Sequence, residues 1–164
     1  MSTTTAISAA GPITLTFSFN QPFVELALEG LSHQELWRAP TPRNNPILWV
    51  AGHVVQTRAT VVQMLGQSAD TGWGTLFDRG AKIGERGQYP SATEVARVMR
   101  EVSPRLHAAL AAITEADLIR PAALPIPGIN TLMDELAFFA LHESYHVGQL
   151  AYIRKSLGYP GLAG

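Results

Sequence analysis

The pattern of apolar and polar residues changes near the start of the chain. From Ile13 to Phe19 apolar and polar residues alternate, and two of the polar positions are β-branched threonines. This period of two is typical of a β-strand. One short strand is not stable alone, so we expect residues 1–19 to form an extended N-terminal arm. From Asn20 onward the pattern indicates helices separated by loops.

Four helices are predicted between residues 20 and 158 from their N-cap residues and terminating glycines. Their limits are Asn20 to Gly30, Asn45 (followed by Pro46) to Gly66, Ser91 (with Glu94) to Ile113, and Thr131 (with Asp134) to Gly158. Pro104 is expected to kink the third helix or to break it near Ser103. The sequence therefore predicts an all-α helical bundle in a single domain, residues 1–164.

The connections between these helices differ in length. Ser32 and Glu35 form a capping box, which predicts one further helical turn. Residues 66–90 contain six glycines and end at Pro90. This density of turn-forming residues predicts a long glycine-rich connection between the second and third helices.

Composition excludes several classes of function. The chain has 12 basic and 13 acidic residues without a run of either sign, so nucleic-acid binding is not expected. It has no cysteine, so any metal must take nitrogen or oxygen ligands. No apolar run approaches the ~20 residues of a membrane span, and the N-terminus lacks the basic and apolar regions of a signal peptide. We expect a cytoplasmic protein that does not contact membranes.

One motif carries chemistry. Residues 142–146 read His-Glu-Ser-Tyr-His, which fits the H-E-x-x-H pattern of zinc-binding helices. His142 and His146 lie one helical turn apart, so both imidazoles can reach one ion. They border an apolar stripe that includes Phe139 and Leu150, where two unpaired polar rings would be costly. Metal binding therefore explains the pair better than two unrelated polar residues on a solvated face.

The third ligand must lie upstream, because no His, Asp or Glu follows His146. A zinc peptidase would place it downstream, so that class is excluded. His53 is the best candidate, since it lies mid-helix among apolar residues, although a lone histidine there is more often a core residue. His33, beside a capping box, and His107, beside Pro104, are expected to be exposed or structural.

Other residues on the same helices are candidates for catalysis or for support of the ligands. Glu143 flanks the histidine stripe and is either a general base or a solvated or outer-shell carboxylate, and its position on the helix favours the second interpretation. Glu135 and Gln149 share the stripe and could contact substrate or orient an imidazole. Trp49 is expected near His53, as pocket lining or as core.

Residues 28–66 together with "HESYHVGQLAYIRKSLG" resemble the DinB-like family of four-helix metal-binding proteins. In that family a histidine in the middle of the second helix joins an H-x3-H pair in the last helix, with a Gly-Gln pair just after it. His53, His142, His146, Gly148 and Gln149 match these positions. The resemblance implies a four-helix bundle, one divalent ion (nickel, zinc or iron) and a homodimer. The chain departs from it at Pro22, which is expected to shorten the first helix, and in the alternating N-terminal segment.

Three neutral imidazoles leave a divalent ion its full charge and an open position, as in catalytic sites. The known activities of the DinB-like family include thiol-dependent transfer. Two functions follow as hypotheses. The first is a metal-dependent hydrolase or thiol transferase that acts on a small molecule, in the second case with a low-molecular-weight thiol, and whose substrate enters beneath the 66–90 connection. The second is a non-catalytic stress-response module whose ion is structural.

Overall fold

Six helices account for most of the computed structural model, which describes residues 9–163. They are α1 (Gly11–Leu28), α2 (His33–Leu36), α3 (Ile47–Met64), α4 (Ala92–Ala112), α5 (Glu115–Leu118) and α6 (Leu132–Ser156), with a 3-10 turn at Arg86–Gln88. The long helices α1, α3, α4 and α6 form the bundle, and α2 and α5 are single turns. No β-strand occurs within residues 9–163, so the all-α prediction is confirmed.

The prediction of an extended arm is wrong for residues 11–19, because α1 begins at Gly11 and includes the alternating segment. As a helix this segment buries Ile13 and Phe17, which lie one turn apart, and leaves Leu15 and Phe19 more than half exposed. Proline at the second residue, Pro12, suits a helix start. Residues 9 and 10 form a turn before α1, and residues 1–8 of the predicted arm lie outside the described residues.

Two features of α1 reconcile its sequence with a helix. The hydroxyl groups of Thr14, Thr16 and Ser18 each donate to the backbone carbonyl four residues earlier, at 2.8–3.0 Å, so they are satisfied within the helix. Pro22 does not shorten the helix, contrary to the prediction, since α1 runs through it from Gly11 to Leu28. Pro22 and Ser18 are exposed, so the Ser18 carbonyl, which the missing N–H would have bonded, is at the surface.

Side-chain contacts fix the direction of α1 relative to its neighbours. Asn20 donates to Ser144 of α6 at 3.0 Å, and Arg154, ten residues further along α6, donates to the carbonyl of Ala27. The contact advances in the same sense along both helices, so α1 and α6 are parallel. Against α4 the order is reversed, because Ser18 contacts His107 whereas Glu25, further along α1, contacts Arg100, nearer the start of α4.

α3 is antiparallel to α6, since Val50 and Ile153 line one cavity whereas Arg58 contacts Glu143. Consequently α1 and α6 run one way, and α3 and α4 run the other. The connection between two parallel helices must return along the bundle, and an 18-residue helix such as α3 is roughly 27 Å long at 1.5 Å per residue. This explains the length of the predicted connection, now residues 65–91.

Most helix starts lie within one residue of their predicted positions after residue 30. The capping boxes at Ser32 and Thr131 are confirmed, and a further one at Thr114 begins α5, which was not predicted. α3 begins one residue later than expected, with Pro46 as N-cap and no side-chain cap. At Ser91 the cap is one-sided, because the Glu94 carboxylate binds Arg97 instead of the Ser91 backbone.

α4 is continuous from Ala92 to Ala112, so of the two alternatives predicted for Pro104, a kink or a break near Ser103, the break does not occur. Pro104 lies on the exposed side of α4. The Arg100 carbonyl that lacks the Pro104 N–H is therefore near water. Within the described part of the chain, none of the helices combines the length and apolar character that a membrane crossing requires.

Candidate metal centre

The structure brings together the three histidines that the sequence analysis selected. His53 of α3 and His142 and His146 of α6 place one ring nitrogen each within 4.8 Å of the other two. His142 Nε2 lies 3.4 Å from His53 Nε2 and 3.1 Å from His146 Nε2. His53 is buried, while His142 and His146 are half-buried. The cluster is thus closed on the α3 side and accessible from the α6 side.

These separations fit the ligand set of a single ion. At metal–nitrogen distances of about 2.05 Å, two ligands of a tetrahedral ion lie roughly 3.3 Å apart. The donors are three imidazoles with no carboxylate or sulfur, a set that suits zinc, nickel and iron. The three residues can therefore hold one divalent ion and leave at least one of its positions open.

A loop backbone orients the His53 ring. Its Nδ1 donates to the Phe77 carbonyl at 2.6 Å, so in the neutral ring the lone pair is on Nε2, which faces the other two histidines. Trp49 stacks on His53 with ring centroids 5.2 Å apart and planes at 8°. Trp49 also donates from Nε1 to the Leu76 carbonyl at 3.2 Å. Trp49 is therefore a buried core residue that packs directly on the His53 ring.

Gly52 lets the Phe77 ring lie against α3. A Cβ atom at position 52 would be only 2.2 Å from the Phe77 ring, so no larger residue fits without displacing the loop. Gln56, one turn further along α3, donates to the Gly74 carbonyl and to the Asp78 carboxylate. One face of α3 thus fixes residues 74–78 of the long connection behind His53.

Gln149, which was predicted either to contact substrate or to orient an imidazole, contacts the His146 ring. Its Oε1 accepts from His146 Nδ1 at 2.7 Å, which again leaves the lone pair on the Nε2 that faces the cluster. Its Nε2 donates to the Tyr145 hydroxyl at 3.1 Å. His142 differs, since its Nδ1 is buried and has no hydrogen-bond partner within the described residues. Phe138 packs against the His142 ring at 6.0 Å between centroids.

The surroundings of His142 and His146 favour the neutral imidazole, the form that binds metal. Burial, followed by the nearby His146, His53 and Arg79, lowers the pKa of His142 from 6.5 to about 4. Burial also lowers the pKa of His146, against the opposing effect of its bond to Gln149. The lone pairs of His53 and His146 both point toward His142 Nε2, an arrangement that repels unless a proton or cation lies between them.

Glu143, predicted to be either a general base or a solvated or outer-shell carboxylate, does not face the histidines. Both of its oxygens accept from Arg58, at 2.6 and 2.9 Å, and the residue is 3% exposed. It is therefore not a solvated carboxylate, and a base bound in this way by a guanidinium is not free to take a proton. Burial raises the pKa of the Glu143 carboxyl, against the opposing effect of Arg58.

Glu135 also lies away from the cluster. It is fully buried, and its two oxygens accept from the backbone N–H groups of Ala123 and Leu124, at 3.1 and 2.9 Å. It fixes the loop that precedes α6 and does not contact a ligand. The position on the helix wheel was correct, but Glu135 lies about two turns before His142, roughly 10 Å along the axis.

The two remaining histidines are outside the cluster, as expected. His33 is exposed, and His107 contacts the Ser18 hydroxyl at 3.3 Å. Arg58 and the Phe77 carbonyl were not predicted from the sequence. Arg58 could have been noticed, because it is a charged residue on the apolar side of α3. A backbone carbonyl in a loop gives no sequence signal.

A cavity of about 690 Å³ lies beside the cluster. It is bounded by α6, by residues 40–45 before α3 and by Val50. Gln149 and Tyr145 line it and also contact His146, so the cavity wall is continuous with the ligands. Its volume is in the range of small-molecule sites. Its lining contains one charged residue, Arg43.

Comparison with known proteins agrees with the resemblance noted in the sequence. The family model of the DinB superfamily matches residues 19–150. No curated protein matches the chain. Several solved structures share the fold, and three of them are described next.

The first is a conserved protein from Enterococcus faecalis, with a TM-score of 0.70 and 16% identity over 92% of this chain and 97% of the other. The second is YfiT from Bacillus subtilis, described as a probable metal-dependent hydrolase with an unusual four-helix bundle topology, with a TM-score of 0.71 and 14% identity over 98% and 95%. The third is a DinB-like protein, YjoA, also from Bacillus subtilis, with a TM-score of 0.65 and 16% identity over 93% and 96%.

Proposed function

The chain belongs to the DinB superfamily, and on that premise we propose that it is a metal-dependent hydrolase that acts on a small molecule at the three-histidine centre. The observation that carries the proposal is the convergence of three Nε2 atoms, with separations of 3.1 and 3.4 Å from His142, in rings whose other nitrogens are held by Phe77 and Gln149. The name of the neighbour YfiT as a probable metal-dependent hydrolase supports the same class.

The protein's own residues bind and orient the ion and the substrate. His53, His142 and His146 would hold the ion, which when bound supplies Lewis-acid activation of water or of a substrate carbonyl. The Phe77 carbonyl and Gln149 fix the ring orientations and raise the basicity of the ligands. Trp49 and Phe138 cover His53 and His142 with apolar surface, which limits the access of bulk water.

The substrate enters through the cavity between α6 and residues 40–45. Tyr145 and Gln149 connect this cavity to His146, whereas residues 74–78 of the long connection are bonded to α3 behind His53. This path replaces the one expected beneath the 66–90 connection. Arg43 favours a negatively charged group on the substrate, and the rings of Tyr145 and Tyr152 at the cavity wall favour a flat apolar part.

The test compares turnover with metal content. The protein is stripped, reloaded with zinc, nickel or iron(II), and assayed against a series of carboxylic and phosphoric esters, each with and without a low-molecular-weight thiol. Metal-dependent ester hydrolysis that is lost in His53→Ala and kept in His33→Ala would support the proposal. Turnover that needs the thiol would identify a thiol transferase instead.

The structural alternative gives a different result. A structural ion stabilises the fold directly, so its removal lowers the melting temperature sharply. For a hydrolase whose bundle has a continuous apolar core from all four long helices, we expect the stripped protein to keep its helix content and to lose turnover alone. Absence of turnover at full metal occupancy, with a large loss of thermal stability after chelation, would contradict the hydrolase proposal.

A further inference from the structure

The guanidinium of Arg58 lies in the centre of the bundle. Arg58 is fully buried and donates to four acceptors. Nε and Nη2 bind the two oxygens of Glu143 at 2.9 and 2.6 Å, Nη1 binds the Ser103 hydroxyl at 2.6 Å, and Nη2 also binds the Phe17 carbonyl at 2.8 Å. These groups belong to α6, α4 and α1, so one side chain of α3 is bonded to all three other long helices.

This network adjoins the histidine cluster along both helices that carry it. Glu143 follows His142 directly, and Arg58 is five positions after His53. The ion pair and the metal ligands therefore join the same two helices, α3 and α6, at neighbouring levels. Ser144, which follows Glu143 on α6, accepts a hydrogen bond from the side chain of Asn20 on α1.

Energetics indicate what the pair does. Removing a guanidinium and a carboxylate from water is costly, and replacing a buried ion pair with apolar residues of similar size is often neutral or stabilising. A fork of two parallel N–H···O bonds nevertheless permits a single geometry, whereas apolar side chains tolerate sliding. If α6 slid by one turn along α3, His142 and His146 would move by about 5.4 Å relative to His53. A much smaller displacement would already prevent the three nitrogens from binding one ion.

We propose that the Arg58–Glu143 ion pair positions the metal centre: it fixes the register of α6 against α3 and so holds His142 and His146 at the distance from His53 that one ion requires. Arg58 and Glu143 are positioning residues and do not touch the ion or the substrate. The inference rests on the metal-binding part of the proposed function and is independent of the reaction.

The test uses Co²⁺, whose visible absorption reports ligand number and symmetry. The double variant Arg58→Met/Glu143→Leu replaces the pair with apolar residues of similar size. We expect it to fold with a melting temperature, without metal, close to that of the wild type. Its Co²⁺ affinity, measured by competition with a chelator, should fall about 10–100-fold, as for outer-shell residues of metal sites, and its spectrum should change.

The control is Arg154→Met, which removes a second buried arginine, located on α6. Arg154 bonds the carbonyls of Ala27 and Glu29 at the end of α1, away from the histidines. It should lower thermal stability but leave the Co²⁺ affinity and spectrum unchanged. A double variant that binds Co²⁺ with wild-type affinity and spectrum would overturn the proposal, as would equal losses of affinity in the control.

A second variant covers the case in which the double variant does not fold. Glu143→Gln keeps the side-chain shape and one acceptor for Arg58 but removes the charge and the fork, so we expect a smaller loss of Co²⁺ affinity together with an altered spectrum. Wild-type binding in this variant would count against the inference. Failure of the wild type to bind Co²⁺ would overturn the metal centre itself, and with it the proposed function, whereas absence of ester hydrolysis would leave the Co²⁺ results valid.

Discussion

At the scale of single residues, the three histidines were predictable from two observations, the spacing of one pair and the lack of later ligands. His142 and His146 are one turn apart on an apolar stripe, and the absence of downstream ligands directed the search to His53. Their orientation was not predictable, because the Phe77 carbonyl that fixes His53 comes from a loop backbone. Glu143 was assigned to the edge of the site, but its actual partner is Arg58, 85 residues away in the sequence.

We predict that His53→Ala lowers metal content as severely as His146→Ala. Two imidazoles hold an ion weakly, so each of the three ligands should be equally necessary. Metal analysis of the purified variants measures this. His33→Ala and His107→Ala are the controls and should keep full occupancy, since neither lies in the cluster. Full occupancy in the His53 variant would show that the site is built elsewhere.

The lowered pKa of His142 predicts the acid stability of the metal-free protein. The pKa of His142 is about 4 in the folded protein and 6.5 in the unfolded chain. Between pH 4 and pH 6.5 the unfolded chain therefore binds more protons than the folded protein. The free energy of unfolding should therefore fall as the pH decreases from about 6.5 to about 4. Urea unfolding across this range measures the effect, and His142→Gln should show a flatter dependence. An equally steep decline in that variant would contradict the assignment.

At the scale of elements, α1 shows where sequence patterns fail. Ile13, Leu15, Phe17 and Phe19 alternate with hydroxyl residues, and alternation normally indicates a strand. The helix forms because Ile13 and Phe17 belong to a longer series of buried positions that continues through Val24, and Leu15 and Phe19 stay exposed. The helical spacing of these buried positions is recognisable only in a stretch of sequence that continues beyond Pro22. α3 and α6 were predicted because their patterns are long and uninterrupted.

Two glycines inside helices make a matched test of how α3 holds the long connection. Gly52→Ala places a Cβ at 2.2 Å from the Phe77 ring, so we expect a loss of stability of about 1–3 kcal/mol. Gly148→Ala on α6 meets no atom within 4 Å and should gain up to about 1 kcal/mol from helix propensity. Thermal unfolding measures both. A Gly52 variant as stable as the Gly148 variant would mean that the Phe77 ring moves freely.

At the scale of the whole molecule, the fold followed from the count of helices and from the resemblance to the DinB-like family, which the match over residues 19–150 confirms. The directions of the helices could not be predicted, because they depend on side-chain pairs such as Asn20 with Ser144. The parallel arrangement of α3 and α4 gives the 65–91 connection its length. The homodimer, the cytoplasmic location and the thiol partner stay predictions.

The spacing of the three ligands along the chain also determines when the centre can form during folding. His53 and His142 are 89 residues apart, and closing so large a loop costs entropy that only nearly complete packing can offset. During refolding in the presence of Co²⁺, helical circular dichroism should recover first, and the cobalt absorption should follow in the slowest phase. Simultaneous recovery of both signals would contradict this order. If the cobalt absorption recovers last, as predicted, it reports the completion of folding.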